Sequence, residues 1–134
     1  MHGLHLTADL HGCRCAPAQL LDAAALGRAC TEAVGAAGLQ PVGQLFHAFP
    51  ATAHGPGGVT ATVLLAESHL CVHTWPEQSA VTLDVYVCNF GADHSAKAHA
   101  VLDALLALFE PAAVQRHALV RGVLPTAAHA MGAA

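Results

Sequence analysis

The sequence predicts an α+β fold, an antiparallel β-sheet with two helices packed on one face, and three observations carry that expectation. Strand-like stretches follow one another through the middle of the chain without helical crossovers between them. Two stretches of helical period flank that run. Within the strands, apolar residues alternate with polar ones, the pattern of a sheet covered on one face only. At 134 residues, one domain spanning 1–134 is expected, large enough to bury a core without disulfides.

Residues 3–10, GLHLTADL, alternate as a short strand with Leu4, Leu6 and Ala8 on one face. HGCRCAP breaks the alternation, and Pro17 suits the first turn of a helix. From there to about Ala37, the residues Leu26, Cys30, Ala33, Val34 and Ala37 recur at helical spacing, and Gly38 is a stop. Residues 41–49, PVGQLFHAF, form a second strand. PATAHGPGG, from Pro50 to Gly58, is a loop by its prolines and glycines. GVTATVLLAE, rich in β-branched residues, is a strand, and HLCVHTW and AVTLDVYVC follow it around the turn PEQS. In the last of these, Val81, Leu83, Val85 and Val87 share one face, and Thr82, Asp84, Tyr86 and Cys88 the other. Asp93 or Ser95 can cap a helix running to Glu110, whose buried stripe is Val101, Leu102, Leu105, Leu108 and Phe109. Pro111 ends it, AVQRHALVRGVL makes a final strand, and the last residues fray.

Hydrophobic residues make up 54% of the chain and charged ones 10%, so part of the surface is expected to be hidden against another copy. A formal charge of −4, with five Lys and Arg, argues against a nucleic-acid partner. Five cysteines cannot all pair within one chain, the opening MHGLHLTADL lacks the pattern of a signal peptide, and no apolar run is long enough to span a membrane. Reduced thiols in a cytoplasmic protein are expected.

The chemistry gathers in Leu65–Glu77, LAESHLCVHTWPE, which holds a serine, two histidines, a cysteine, the only tryptophan and two glutamates. A metal site is disfavoured. His69 and His73 lie on strand-like sequence, about 13 Å apart along it, too far to share one zinc. Cys13-x-Cys15 lacks a partner pair, so no metal is expected. Hydrolysis is disfavoured because Ser68 lacks the glycine-flanked elbow of a nucleophilic serine. The single lysine, Lys97, falls on a solvated helix face and is no pyridoxal anchor. The third reading is self-processing. A serine hydroxyl attacks the carbonyl of the preceding peptide bond, converting amide to ester. Loss of the serine α-proton then expels the upstream chain as a carboxylate. The dehydroalanine left behind tautomerises and hydrolyses to an N-terminal pyruvoyl group, releasing ammonia. This needs a strained Xaa–Ser bond, a hydrogen-bond donor for the oxyanion and a base. Glu67, Ser68, His73 and Thr60 are near enough in sequence to supply these parts.

Glu67-Ser68-His69-Leu70-Cys71-Val72-His73-Thr74-Trp75-Pro76-Glu77 resembles the signature ESHLxIHTWPE of the prokaryotic S-adenosylmethionine decarboxylase proenzymes. Gly3-Leu4-His5-Leu6 is similar to that family's opening GRHL, Phe46-His47-Ala48-Phe49 to FHxF, Asp84-Val85-Tyr86-Val87-Cys88 to DxFTC, and Arg121-Gly122 to its late RG. The resemblance implies cleavage between Glu67 and Ser68 into a beta chain, 1–67, and an alpha chain, 68–134, with a pyruvoyl cofactor derived from Ser68. It further implies that His73 takes the serine α-proton, that Thr60 polarises the scissile carbonyl and that Cys88 protonates the decarboxylated carbon. Phe49 and His73 would stack on adenine, and Glu77 would bind the ribose hydroxyls. The ketone would condense with the substrate amine as a Schiff base, and no external cofactor would be needed. The product would be the aminopropyl donor of spermidine and polyamine biosynthesis. A homodimer with active sites near the subunit interface is implied as well.

Several departures touch the substrate. Leu4 replaces an arginine, the 50–58 loop is about five residues longer than its counterpart, Gln78-Ser79-Ala80 stands for Tyr-Gly-Tyr, and Asn89 follows the cysteine in place of glycine. The direct rival is therefore an ornithine or arginine decarboxylase of the same family, with Asp9, Asp84 or Glu77 facing the distal cation. A rival of another class is an unprocessed, non-catalytic binding subunit, which keeps its chain uncut. Trp75 suits an interface or core anchor, His47 a core or site histidine, and Cys13, Cys15, Cys30 and Cys71 structural roles. Ser68 and His73 differ by five residues, so bringing them together needs a bend, a bulge, or a Ser68 outside its strand.

Overall fold

In the computed structural model, which describes residues 2–124, six strands form one antiparallel sheet. In chain order the elements are β1 (Gly3–His11), α1 (Ala18–Leu21), α2 (Ala23–Ala36), β2 (Pro41–Ala48), β3 (Val59–Leu65), β4 (Ser68–Trp75), a 3₁₀ turn (Pro76–Gln78), β5 (Ala80–Cys88), α3 (Ser95–Phe109) and β6 (Ala113–Arg121). The strand order is β2-β3-β4-β5-β1-β6. Hairpins join β2 through β5, and β1 is inserted between β5 and β6, so every neighbouring pair runs antiparallel.

The alternation read from the sequence sorts the two faces. Leu6, Ala8 and Leu10 of β1, Val63 of β3, Leu70 and Val72 of β4, and Val81, Leu83, Val85 and Val87 of β5 all point to the helices and are buried. α2 packs on β2 and β3 and brings in Leu26, Cys30, Ala33 and Val34. α3 packs on β1 and β5 with Ala98, Val101, Leu102, Leu105 and Phe109. Both helices therefore cover one face, as expected, and among the described residues the opposite face carries no helix. Among the described residues no helix is long and apolar enough to cross a membrane.

Local chemistry moves some boundaries. The first helical stretch is split at Asp22, whose carboxylate accepts from the amides of Ala24 (2.9 Å) and Ala25 (3.2 Å) and so starts α2 anew. α3 begins at Ser95, with the Asp93 carboxylate accepting from the Ser95 amide (2.9 Å) and the Asn89 side chain from the His94 amide (2.7 Å). Leu108 is only partly buried beside the α3 stripe. β6 stops at Arg121, short of the expected Leu124, and all nine of its residues are exposed. The expected fraying of residues 125–134 lies outside the described residues.

One buried polar side chain ties three segments together. Thr74 is 5% exposed; its hydroxyl donates to the Leu20 carbonyl (2.7 Å) and accepts from the Val59 amide (2.8 Å). It thus fixes α1 and the start of β3 against the end of β4. Thr74→Val keeps the shape and strands both partners without water, so a loss of about 1–3 kcal/mol is expected. Urea unfolding of the variant beside the wild type measures it.

Candidate active site

The β3–β4 hairpin turns through Ala66 and Glu67, and Glu67 takes the left-handed conformation at φ 58°. A side chain with a Cβ is held there at a cost of roughly 1–2 kcal/mol, on the residue that precedes Ser68. Ser68 is the first residue of β4, and its hydroxyl accepts from the backbone amide of Cys88 at 3.0 Å. Cys88 ends β5 opposite Gly3. Only glycine fits at that position, because a Cβ there would lie 2.4 Å from the Val87 carbonyl oxygen and 2.9 Å from the Tyr86 ring. Glu67, Ser68 and Cys88 therefore share one end of the sheet.

At the other end of β4 the register pairs His73 with Thr60 of β3, and the Thr60 hydroxyl lies 3.0 Å from His73 Nδ1. Phe49 follows β2, its ring edge-on to that of His47 at 4.7 Å. Glu77 sits in the 3₁₀ turn, and the Trp75 indole donates to the Thr82 hydroxyl at 3.3 Å. Phe49, Thr60, His73, Trp75 and Glu77 line an open cavity of about 700 Å³, to which the 50–58 loop contributes a further wall.

The predicted residues thus gather in two groups, not one. β4 pairs with β3 without interruption from Ser68↔Leu65 to His73↔Thr60, so the bend or bulge that would join Ser68 to His73 is absent. Five residues of regular strand separate them by about 16 Å, and their side chains leave opposite faces. Ser68 does stand at the very start of its strand, where a cut would free it to turn.

A third group, on the helix-free face between these two, was not anticipated. Antiparallel register brings His69, Tyr86 and His5 into one row and Asp84 beside it. Asp84 Oδ2 accepts from His69 Nε2 (2.6 Å) and His5 Nε2 (2.9 Å), and Arg121 donates to His5 Nδ1 at 3.1 Å. A guanidinium has no acceptor, so the His5 ring carries its proton on Nε2, aimed at Asp84. The Arg121 guanidinium also lies over the Tyr86 ring, 4.9 Å from its centroid. Among the described residues, His5, His69 and Asp84 form the one group close enough to hold a metal ion. With Arg121 on Nδ1, however, His5 offers an N–H and no lone pair. Asp84 is engaged by two rings and is not free to face a substrate cation. No spacing in the sequence marks this cluster, because each member comes from a different strand.

Burial pushes the thiols of Cys30 and Cys13 up to about 12 and about 11, the latter helped by the neighbouring Cys15. Burial also raises Cys15 and Cys71. All four stay protonated at neutral pH, in keeping with structural roles.

Burial raises the Asp84 carboxyl as well, but the hydrogen bonds from His69 and His5, with the attraction of those rings when charged, outweigh it and leave the group below its usual range. A lowered carboxyl stabilises the fold above its unfolded pKa of about 3.9 and loses that contribution as pH falls through the folded value. Asp84→Asn is therefore expected to cost about 1–3 kcal/mol at pH 7 and to flatten the decline in stability below pH 4. Unfolding free energies of both proteins from pH 7 to pH 2.5 test this; parallel curves would refute the role of the carboxylate.

Comparison with known proteins agrees with the geometry over nearly the whole chain. Residues 4–122 match the family model described as S-adenosylmethionine decarboxylase. The S-adenosylmethionine decarboxylase proenzyme of Aquifex aeolicus is 34% identical over 123 residues, 91% of this chain and 82% of that one. That of Parasynechococcus marenigrum is 37% identical over 119 residues (89% and 82%), and that of Archaeoglobus fulgidus 33% over 121 residues (90% and 97%). The crystal structure of the adenosylmethionine decarboxylase from Aquifex aeolicus superposes with a TM-score of 0.78 at 30% identity, covering 92% of each chain. A match that begins in β1, ends just past β6 and preserves the sheet and its helices leaves one conclusion: the chain belongs to the S-adenosylmethionine decarboxylase family.

Proposed function

We propose that this decarboxylase cuts itself between Glu67 and Ser68, acts on S-adenosylmethionine, and works as a homodimer of cleaved protomers. The observation that carries the substrate is the cavity at the His73 end. Its roughly 700 Å³ suits a nucleoside-bearing ligand rather than a small amino acid, and its walls are largely apolar. Phe49 and the His73 ring offer stacking surfaces for adenine, and Glu77 a carboxylate for the ribose hydroxyls. Of the carboxylates that ornithine or arginine could use for the distal cation, Asp84 is already engaged by His5 and His69, which leaves Glu77 as the one in the cavity.

The residues at the cleavage point fit a pyruvoyl precursor: a serine at a turn, behind a strained glutamate, with its hydroxyl held in place. Ser68 Oγ attacks the Glu67 carbonyl, and the nitrogen of the scissile bond leaves as an amine. If His73 donates Nδ1–H to Thr60, its Nε2 keeps a lone pair for the Ser68 α-proton. The Thr60 hydroxyl hydrogen is then free to polarise the scissile carbonyl. The pyruvoyl group, once formed, supplies a ketone that withdraws the electron pair left by departing carbon dioxide. Cys88, at the Ser68 end, donates a proton to the substrate carbon.

Because these two sets lie at opposite ends of β4, we read each active centre as shared. A twofold axis between two helix-free faces, at right angles to β4, sets the start of β4 in one copy over its end in the other. The Glu67–Ser68 peptide bond, at the turn where it belongs to neither face, and Cys88 of one protomer then meet Thr60, His73, Phe49 and Glu77 of its partner. The free thiols suit a reducing, cytoplasmic setting.

Two experiments check this reading. The wild type should appear by mass as two chains and release carbon dioxide from S-adenosylmethionine far faster than from ornithine or arginine. Ser68→Ala should stay at full length and lose activity by more than about 10³-fold; an uncut, active variant would overturn the mechanism. Ser68→Ala and His73→Ala should each be inactive alone, yet coexpression should restore cleavage of the His73→Ala chain and part of the activity. If no mixture recovers, the centre is not shared between protomers.

A further inference from the structure

The 50–58 loop forms an ordered wall of the cavity, and its base and tip are both pinned. At the base, the Phe49 amide donates to the Gly58 carbonyl at 2.9 Å. A Cβ on Gly57 would lie 2.1 Å from the Phe49 carbonyl oxygen, and one on Gly58 2.1 Å from that of Thr74. Only bare backbone can pass there. At the tip, Thr52 and Gly55 exchange both backbone hydrogen bonds (2.8 and 3.1 Å), and the His54 amide donates to the Thr52 hydroxyl at 3.1 Å. Pro50 and Pro56 stiffen the two arms. The loop is thus a miniature hairpin that carries His54 at its turn, beside the cavity.

The polar groups of the cavity are unequally occupied. Thr60 and His73 bond each other, and Thr74 is bound to Val59 and Leu20. Among the described residues, none hydrogen-bonds the ring nitrogens of His54, whose side chain is exposed and open to a ligand or to solvent. The hairpin springs directly from Phe49, and His54 lines the same cavity as the Phe49 ring.

We propose that His54 is a specificity-determining residue that hydrogen-bonds the edge of the adenine base, and that the 50–58 hairpin is a purine clamp. The inference rests on the reading of the cavity as the nucleoside site. The nitrogens of an imidazole diverge, so one of them meets the edge, either donating to a purine ring nitrogen or accepting from the amino group. The clamp assists binding and leaves the self-cleavage machinery at Thr60 and His73 untouched.

The test uses the cleaved wild type with His54→Ala and His54→Gln. The probe is 5′-methylthioadenosine, the uncharged nucleoside half of S-adenosylmethionine, titrated calorimetrically. Loss of one hydrogen bond should weaken its binding by about 3- to 10-fold in His54→Ala. KM for S-adenosylmethionine should rise by a similar factor while kcat stays within about twofold, and cleavage measured by mass should be complete. His54→Gln, which keeps a donor and an acceptor, should recover most of the affinity. A His54→Ala protein that binds the nucleoside as tightly as the wild type overturns the clamp and leaves the substrate reading intact. Failure of the wild type itself to bind the nucleoside overturns the substrate reading, and the clamp with it. Losses in kcat and cleavage that His54→Gln does not repair would mean a structural role, which also defeats the proposal.

Discussion

The unbroken pairing of β3 with β4 is the constraint on which the rest of this molecule turns. From Thr60↔His73 to Leu65↔Ser68 each residue has a partner, so neither strand can slip or bulge without turning a buried face outward. Leu70, Val72 and Thr74 face the helices, which obliges His69, Cys71 and His73 to face away. The turn joining the two strands has only Ala66 and Glu67 to work with, and this tightness holds Glu67 in its left-handed conformation beside Ser68. The strained turn at one end of the hairpin and the cavity wall at the other follow from a single pairing.

The core closes on one side only. Apolar residues from the strands meet α2 and α3, and the other face is left with threonines, histidines, Asp84 and Tyr86, many of them half-buried. That face organises its own polar groups. One carboxylate oxygen receives two imidazole N–H groups, and Arg121 from the edge strand orients one of the rings and covers Tyr86. The arrangement stitches β4, β5, β1 and β6 together where no helix does so. β6 needs this connection, since its nine residues are exposed and no strand among the described residues pairs with its outer edge. A polar, internally bonded face of this kind suits burial against a second copy better than a face of free charges would, because few groups remain to be desolvated without a partner.

Much of the fold was legible in the chain, for local reasons. Alternation identified both faces of β5 residue by residue, and helical spacing found the buried stripes of α2 and α3. Boundaries went astray where a side chain competed with the backbone, as when the Asp22 carboxylate captured two amides and began a new helix. The motif around Ser68 pointed to the family, and every residue it nominated lies at one of the two ends of β4. What it did not convey was the division into two groups, nor the His5–Asp84–His69 cluster, whose members were visible only as separate letters.

The sequence by itself determined what depends on neighbours along the chain: the period of each element, the one-sided core, the glycines and prolines of the 50–58 loop, and the chemistry available at Ser68, His73 and Cys88. Tertiary structure decided which of these meet. Cys88 comes to Ser68 and Thr60 to His73 because strands distant in sequence pair in a particular register, while His73, only five residues from Ser68, is carried to the far end of the same strand. The physical reason is that an extended backbone advances by about 3.3 Å per residue and reverses its side chains at every step. Closeness in sequence is turned into distance along a strand, and proximity has to come from hydrogen bonds between strands.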